Sequence, residues 1–132
     1  MISNVKIRSR TSDHQNNRNS LLLIQVTCLK SKWCNRFLFA GDALTERLGE
    51  FTALGEGTYD FLKVSNHGDY FEGVEAFFRA VSPKYAAITC SDKNPADART
   101  VSALEAVGAQ VFLTRDGSVK VTSDGRTISV LQ

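Results

Sequence analysis

Short apolar runs separated by polar turns divide the chain into alternating strands and helices. Residues 21–26 and 36–40 are largely apolar runs of strand length, and the polar turn between them predicts an antiparallel hairpin. Two further strands are predicted at residues 59–64 and 85–90. The first 20 residues are polar and basic, a composition that favours loop over core.

Three helices are predicted between these strands, because apolar residues recur at helical spacing. The three apolar stripes are Leu44, Leu48 and Phe51; Phe71, Val74, Phe78 and Val81; and Ala98, Val101, Leu104 and Val107. Asp42 stands at the N-cap position of the first helix, and Pro83 ends the second. Asn94 followed by Pro95 marks the start of the third helix, which Gly108 ends.

The C-terminal part of the chain predicts three strands in an antiparallel meander. Residues 110–115, 118–123 and 126–131 alternate apolar and polar side chains. The Asp-Gly pairs at residues 116–117 and 124–125 favour two-residue hairpin turns between them. The predicted fold class is therefore α/β with α+β layering: a mixed sheet with helices packed on it, closed by this meander.

Length and charge restrict the classes of protein that fit. A chain of 132 residues, 42% hydrophobic and 23% charged, corresponds to one ordinary domain that can bury a core without a disulfide or a metal. The net charge of +2 is too balanced to indicate nucleic acid or membrane by electrostatics alone. No apolar stretch approaches the ~20 residues that a bilayer span requires, so no membrane segment is expected.

The cysteines and the N-terminus predict a cytoplasmic chain. Cys28, Cys34 and Cys90 are an odd number without metal-type spacing, which favours reduced thiols. The alternative is that Cys28 and Cys34 face each other across the hairpin between the first two predicted strands. No secretory signal is recognisable in the first residues.

Two predicted strand ends carry polar residues beside a glycine. Asp42 follows Gly41 after the second strand, and His67 precedes Gly68 after the third. Open α/β sheets bind ligands at the carboxyl ends of their strands, and a carboxylate beside an imidazole suits a divalent metal such as zinc. The structural alternatives are that Asp42 caps a helix and that His67 is a turn residue with a positive φ.

Several segments, taken in order, resemble the C-terminal half of the metallo-β-lactamase superfamily. They are residues 17–23 (NRNSLLL), 36–43 (RFLFAGDA), 60–68 (DFLKVSNHG) and 80–86 (AVSPKYA). The pattern is most similar to the soluble hydrolase domain of ComEC-type competence (DNA-uptake) proteins, which read "fLltGDa", "vLkvpHHGS" and "vsPkyavIs". The resemblance covers residues 16–130 and implies half of an αββα sandwich.

The resemblance implies a metal site with zinc or manganese and a phosphodiester (nucleic-acid) substrate. Asp42 matches the bridging metal carboxylate of the family, and His67 matches the second histidine of its HHG motif. Because Asn66 replaces the first histidine, the position of that pair that binds metal stays open. His67 is accordingly expected as a metal ligand or as a catalytic proton-transfer group.

The chain also departs from the family pattern. The His-x-His-x-Asp-His motif is absent: Asp13 and His14 would match only its last two residues, with Ser9 and Thr11 at the earlier histidine positions. Residues 95–97 (PAD) replace a Gly-His-Pro segment. A catalytic zinc needs about three protein ligands. Beyond Asp42 and His67, the remote candidates are Asp69, Asp92 and Asp97.

Two functions follow as hypotheses. The chain is either a hydrolase whose incomplete site is completed by a homodimer or a complementary chain, or a catalytically inactive, truncated remnant that serves as an interaction module. Residues 1–19 are expected to form a polar basic arm and residues 20–132 the metallo-β-lactamase-like half-domain. The basic residues of that arm make it a weaker candidate for nucleic-acid binding, against the alternative of a solvated basic tail. They are Lys6, Arg8, Arg10 and Arg18, with Lys30, Lys32 and Arg36 nearby.

Overall fold

A computed structural model describes residues 4–10 and 21–27 as strands and residues 34–55 and 57–132 in full. The strands of the main sheet, in their order across it, are β1 (Asn4–Arg10), β2 (Leu21–Thr27), β3 (Arg36–Phe39), β4 (Phe61–Lys63), β5 (Tyr85–Ile88) and β6 (Gln110–Leu113). The α-helices are α1 (Thr45–Ala53), α2 (Val74–Val81) and α3 (Ala98–Ala106). A separate two-stranded sheet comprises β7 (Lys120–Ser123) and β8 (Ile128–Leu131).

The main sheet is antiparallel on one side and parallel on the other. β1, β2 and β3 pair antiparallel, which confirms the predicted hairpin between the two apolar runs. β3, β4, β5 and β6 pair parallel, and each parallel connection passes through one of the helices. The predicted fold class, a mixed sheet with helices packed on it, is therefore confirmed.

Alternation along the central strands divides the core into two layers. Leu38 and Leu62 lie fully buried beneath Phe77 and Phe78 of α2 in the larger layer. The core layer on the opposite face of the sheet is smaller, and Ile128 of β8 packs there. Its buried members are Phe37, Phe61, Ala87 and Ile128. Each central strand thus buries both of its faces, which is why these segments read as continuous apolar runs.

The predicted C-terminal meander is wrong in its first strand. β6 pairs parallel with β5, and Asp116-Gly117 lies at a 3₁₀ turn (Thr114–Asp116) instead of a two-residue hairpin. In the parallel position, Val111 and Leu113 pack against the larger core layer. The second part of the prediction is confirmed, because β7 and β8 form an antiparallel hairpin whose connection contains Asp124.

The loop predicted for the first 20 residues is wrong at β1. All seven residues of that strand pair with β2. Val5 and Ile7 alternate with Lys6 and Arg8, which is the period of a strand, but the basic composition obscured it. Residues 11–20, which include Asp13 and His14, lie outside the described residues, as does Cys28.

Two predicted helix starts are displaced in the structure. The N-cap residue of α1 is Leu44, so the prediction of Asp42 as an N-cap is wrong. The N-cap of α3 is Asp97, whose carboxylate accepts a hydrogen bond from the Arg99 amide. Asn94 instead closes a local turn with Ser91 through two hydrogen bonds. Helix-favouring residues thus stand near both helices without being their caps.

In the part of the chain that the structure describes, no helix has the length and apolar character to cross a membrane.

Truncation of Phe77 tests the larger core layer. The side chain is fully buried, with its ring edge-on to Phe51 at 5.9 Å between centroids. Phe77→Ala is expected to lower the free energy of unfolding by about 3–5 kcal/mol, measured by urea denaturation. Leu54→Ala, at a 54% exposed position, serves as the control and is expected to cost less than about 0.5 kcal/mol. Equal losses would contradict the assignment of Phe77 to the core.

Candidate functional site

The loops that follow β3 and β4 are fastened to each other at the carboxyl edge of the parallel strands. Phe39 pairs with Lys63, the last residue of β4. The amide of Ala40 then donates to the Lys63 carbonyl at 3.1 Å, and the amide of Asn66 donates to the Gly41 carbonyl at 2.9 Å. The two loops therefore leave the sheet side by side.

This arrangement brings Asp42 and His67 together. The Nε2 atom of His67 lies 3.8 Å from Oδ1 of Asp42. Both side chains are more than half exposed, at 61% for His67 and 54% for Asp42. Since Asp42 does not cap α1, its carboxylate is open to solvent and to the imidazole.

The other ring nitrogen of His67 is held by Thr89, which follows β5. Nδ1 lies 3.1 Å from the Thr89 carbonyl oxygen and 3.0 Å from its hydroxyl. Nδ1 donates to the carbonyl in one tautomer and accepts from the hydroxyl in the other, and in both cases the contact keeps Nε2 directed at Asp42. Sequence reasoning missed Thr89, although it is a polar residue at a strand end, the same signal that indicated Asp42 and His67.

The turn that carries His67 is left-handed. Asn66 and His67 have φ values of 46° and 54°, and Gly68 follows at 80°. The prediction that His67 is a turn residue with a positive φ is confirmed. A Cβ atom at Gly68 would lie 2.6 Å from Cγ2 of Ile88, so only glycine fits there. His67 is therefore a turn residue with a positive φ, and this conformation is compatible with a second role for its imidazole as a metal ligand.

A polar cleft of about 470 Å³ adjoins the imidazole. Its lining residues are His67, Asp69, Thr89, Cys90, Ser91, Asn94, Pro95 and Thr114. The Thr114 hydroxyl both accepts from the Cys90 amide and donates to the Cys90 carbonyl, which joins the ends of β5 and β6. The cleft thus lies where the carboxyl ends of the parallel strands converge, as expected for an open sheet.

Lys63 adds a positive charge near this edge. It is half-buried, and burial lowers the pKa of its ammonium below the ordinary value, while the Asp42 carboxylate opposes that shift. Sequence reasoning missed Lys63, because one lysine in an apolar strand does not reveal which charge it lies near.

Asp42 and His67 fit part of a zinc ligand set. Two ligand atoms about 2.0–2.1 Å from a tetrahedral zinc lie about 3.3 Å apart, close to the 3.8 Å observed. A third donor is missing from the described residues, among which no group of three potential ligands is found. The carboxylate of Asp97 is taken by Arg99 at 2.8 Å, and that of Asp69 accepts from Asn66. The pair alone is therefore not a complete catalytic metal site.

No family model matches the chain, and comparison with curated proteins and with solved structures finds no match. The relationship to the metallo-β-lactamase superfamily and the division between residues 19 and 20 stay predictions from the sequence.

The backbone conformation of His67 is tested by comparing two truncations. His67→Gly and His67→Ala both remove the imidazole, but only glycine adopts a positive φ without steric cost. The glycine variant is expected to be more stable than the alanine variant by about 1 kcal/mol in urea denaturation. Equal stabilities would contradict the left-handed conformation.

Proposed function

We propose that this chain is a hydrolase-related protein of the metallo-β-lactamase fold whose metal site is incomplete. Asp42 and His67 are its metal ligands, and a second copy or a complementary chain supplies the remainder. The completed site acts on phosphodiesters. The sequence motifs support the family, and the geometry of this pair supports the site.

The observation that carries the proposal is the pairing of Asp42 with a histidine whose ring is oriented by Thr89. Nε2 of His67 and Oδ1 of Asp42 lie 3.8 Å apart, a separation suited to a shared cation. The Nδ1 contact with the Thr89 carbonyl is the outer bond that metal-binding histidines usually make, because it orients the ring and raises its basicity. Neither ligand atom is consumed by a capping bond.

The surroundings suit an anionic substrate. Lys63 places an ammonium near Asp42, and the cleft beside His67 offers the hydroxyls of Thr89 and Ser91. A phosphodiester carries one negative charge and several acceptor oxygens, which match these donors. Where His67 is not a ligand, the same Nε2 atom is placed to transfer a proton.

The alternative is an inactive remnant that serves as an interaction module. One specific observation favours it: at the segment where the resemblance places Gly-His-Pro, Asp97 caps α3 and binds Arg99. That segment therefore has a structural role in this chain. The replacement of the first HHG histidine by Asn66 points the same way.

Metal titration tests the proposal. Zinc and manganese chloride are titrated calorimetrically into wild type, Asp42→Ala and His67→Ala. Both variants are expected to weaken binding by more than about 10-fold, since loss of even an outer-shell partner costs that much. Asp116→Ala is the matched control, because Asp116 is an exposed carboxylate paired with Arg115 in the 3₁₀ turn Thr114–Asp116. It is expected to bind as wild type does.

The melting temperature of the same variants separates ligand loss from unfolding. Asp42→Ala is expected to melt with wild type because Asp42 is not an N-cap. Metal binding that survives both substitutions would contradict the assignment of the pair. Wild type that binds neither metal and cleaves no phosphodiester, either alone or as a concentrated dimer, would favour the interaction module.

A further inference from the structure

The left-handed turn that carries His67 needs external support. Asn66 and His67 have φ values of 46° and 54°, and such residues persist only where surrounding contacts over-determine their conformation. The turn itself supplies two bonds, from the Asp69 amide to the Asn66 carbonyl at 3.0 Å and from the Asn66 side-chain amide to the Asp69 carboxylate at 3.2 Å. The Gly41 carbonyl accepts from the Asn66 amide and holds the side that faces β3.

The opposite side of the turn is held by the residues that lead into α3. The Asp97 amide donates to the Gly68 carbonyl at 3.1 Å. The Cβ of Ala96, the residue before it, lies 3.1 Å from where a Gly68 Cβ would stand. Ala96 and Asp97 therefore contact Gly68, the last residue of the turn, on this side.

Asp97 is itself fixed by Arg99. Oδ1 of Asp97 accepts from the amide of Arg99 at 2.9 Å and from its Nε at 3.1 Å, and Oδ2 accepts from Nη2 at 2.8 Å. This is a forked, charge-assisted pair superimposed on a helix cap. The bonds from Arg99 hold the pKa of the Asp97 carboxyl below its ordinary value.

Arg99 also contacts the segment that leaves the turn. Its guanidinium lies 4.2 Å from the centroid of the Tyr70 ring, a cation–π contact, and the Tyr70 hydroxyl donates to Glu75 of α2 at 2.6 Å. The turn is thus tied at two places, Gly68 and Tyr70, to one Asp97–Arg99 pair.

We infer that Asp97 and Arg99 are positioning residues for His67, which keep its turn left-handed and its imidazole directed at Asp42. They act through Gly68 and Tyr70. The inference rests on the proposed function only in taking His67 as a ligand. The start of α3 thereby contributes to the site by positioning His67 and not by supplying a metal ligand.

The test compares substitutions that remove the contact with ones that keep it. Arg99→Ala removes the side-chain fork and the stacking, whereas Tyr70→Ala removes the stacking and the bond from the Tyr70 hydroxyl to Glu75. Tyr70→Phe keeps the ring that Arg99 contacts and is the conservative partner. Arg126→Ala is the control, since Arg126 lies in the β7–β8 connection, whose backbone bonds to Asn35 at the start of β3, away from the site.

Two readouts are recorded on the full chain. The first readout is the nuclear magnetic resonance spectrum at fixed neutral pH without metal. Arg99→Ala and Tyr70→Ala are expected to change the chemical shifts of the backbone amides of Asn66, His67 and Gly68 and of the imidazole nitrogens of His67. In zinc titrations, both are expected to weaken binding by about 10-fold, the scale of an outer-shell loss. Tyr70→Phe and Arg126→Ala are expected to match wild type in both measurements.

Three results would overturn the inference. The first is a folded Arg99→Ala whose turn amides and imidazole signals stay at the wild-type positions. The second is Tyr70→Phe shifting these signals as much as Tyr70→Ala, and the third is Arg126→Ala shifting them too. Should Arg99→Ala fail to fold, the Tyr70 pair decides alone.

The two proposals fail in different measurements. Wild type that binds no zinc would contradict the metal site. The metal-free nuclear magnetic resonance comparison would still decide whether Asp97 and Arg99 position the turn.

Discussion

The site depends on the parallel pairing of β3, β4 and β5. Parallel strands in register end at the same edge, so the loops after all three emerge together. Asp42, His67 and Thr89 come from three distant parts of the sequence, and each stands just beyond one of these strands. If β4 were antiparallel, His67 would lie at the opposite edge of the sheet, away from Asp42 and Thr89.

Left-handed backbone conformations occur in succession at the edge that carries Asp42 and His67. Asn66 and His67 occupy the left-handed region in succession, with Gly68 pressed against Ile88. Ile88 belongs to the same buried core layer as Phe77 and Phe78, so the turn packs directly on that core. The left-handed turn and the buried core layer therefore lie in direct contact.

Much of this was predictable from the sequence, and the failures have physical causes. Apolar runs predicted the central strands, and strand-end polar residues predicted Asp42 and His67. The Asp-Gly signal at residues 116–117 is local and does not reveal that β6 pairs in parallel with β5, the preceding strand. Thr89 and Lys63 were missed because their roles arise from neighbours across the sheet, which spacing along the chain does not display.

The central claim, that Asp42 and His67 share one metal ion, is tested most directly by anomalous diffraction at the zinc edge from crystals grown with zinc. We expect one peak about 2.0–2.2 Å from both Oδ1 of Asp42 and Nε2 of His67, with further ligands from a second copy or a partner chain. Zinc found only at other side chains, with this pair bare, would contradict it.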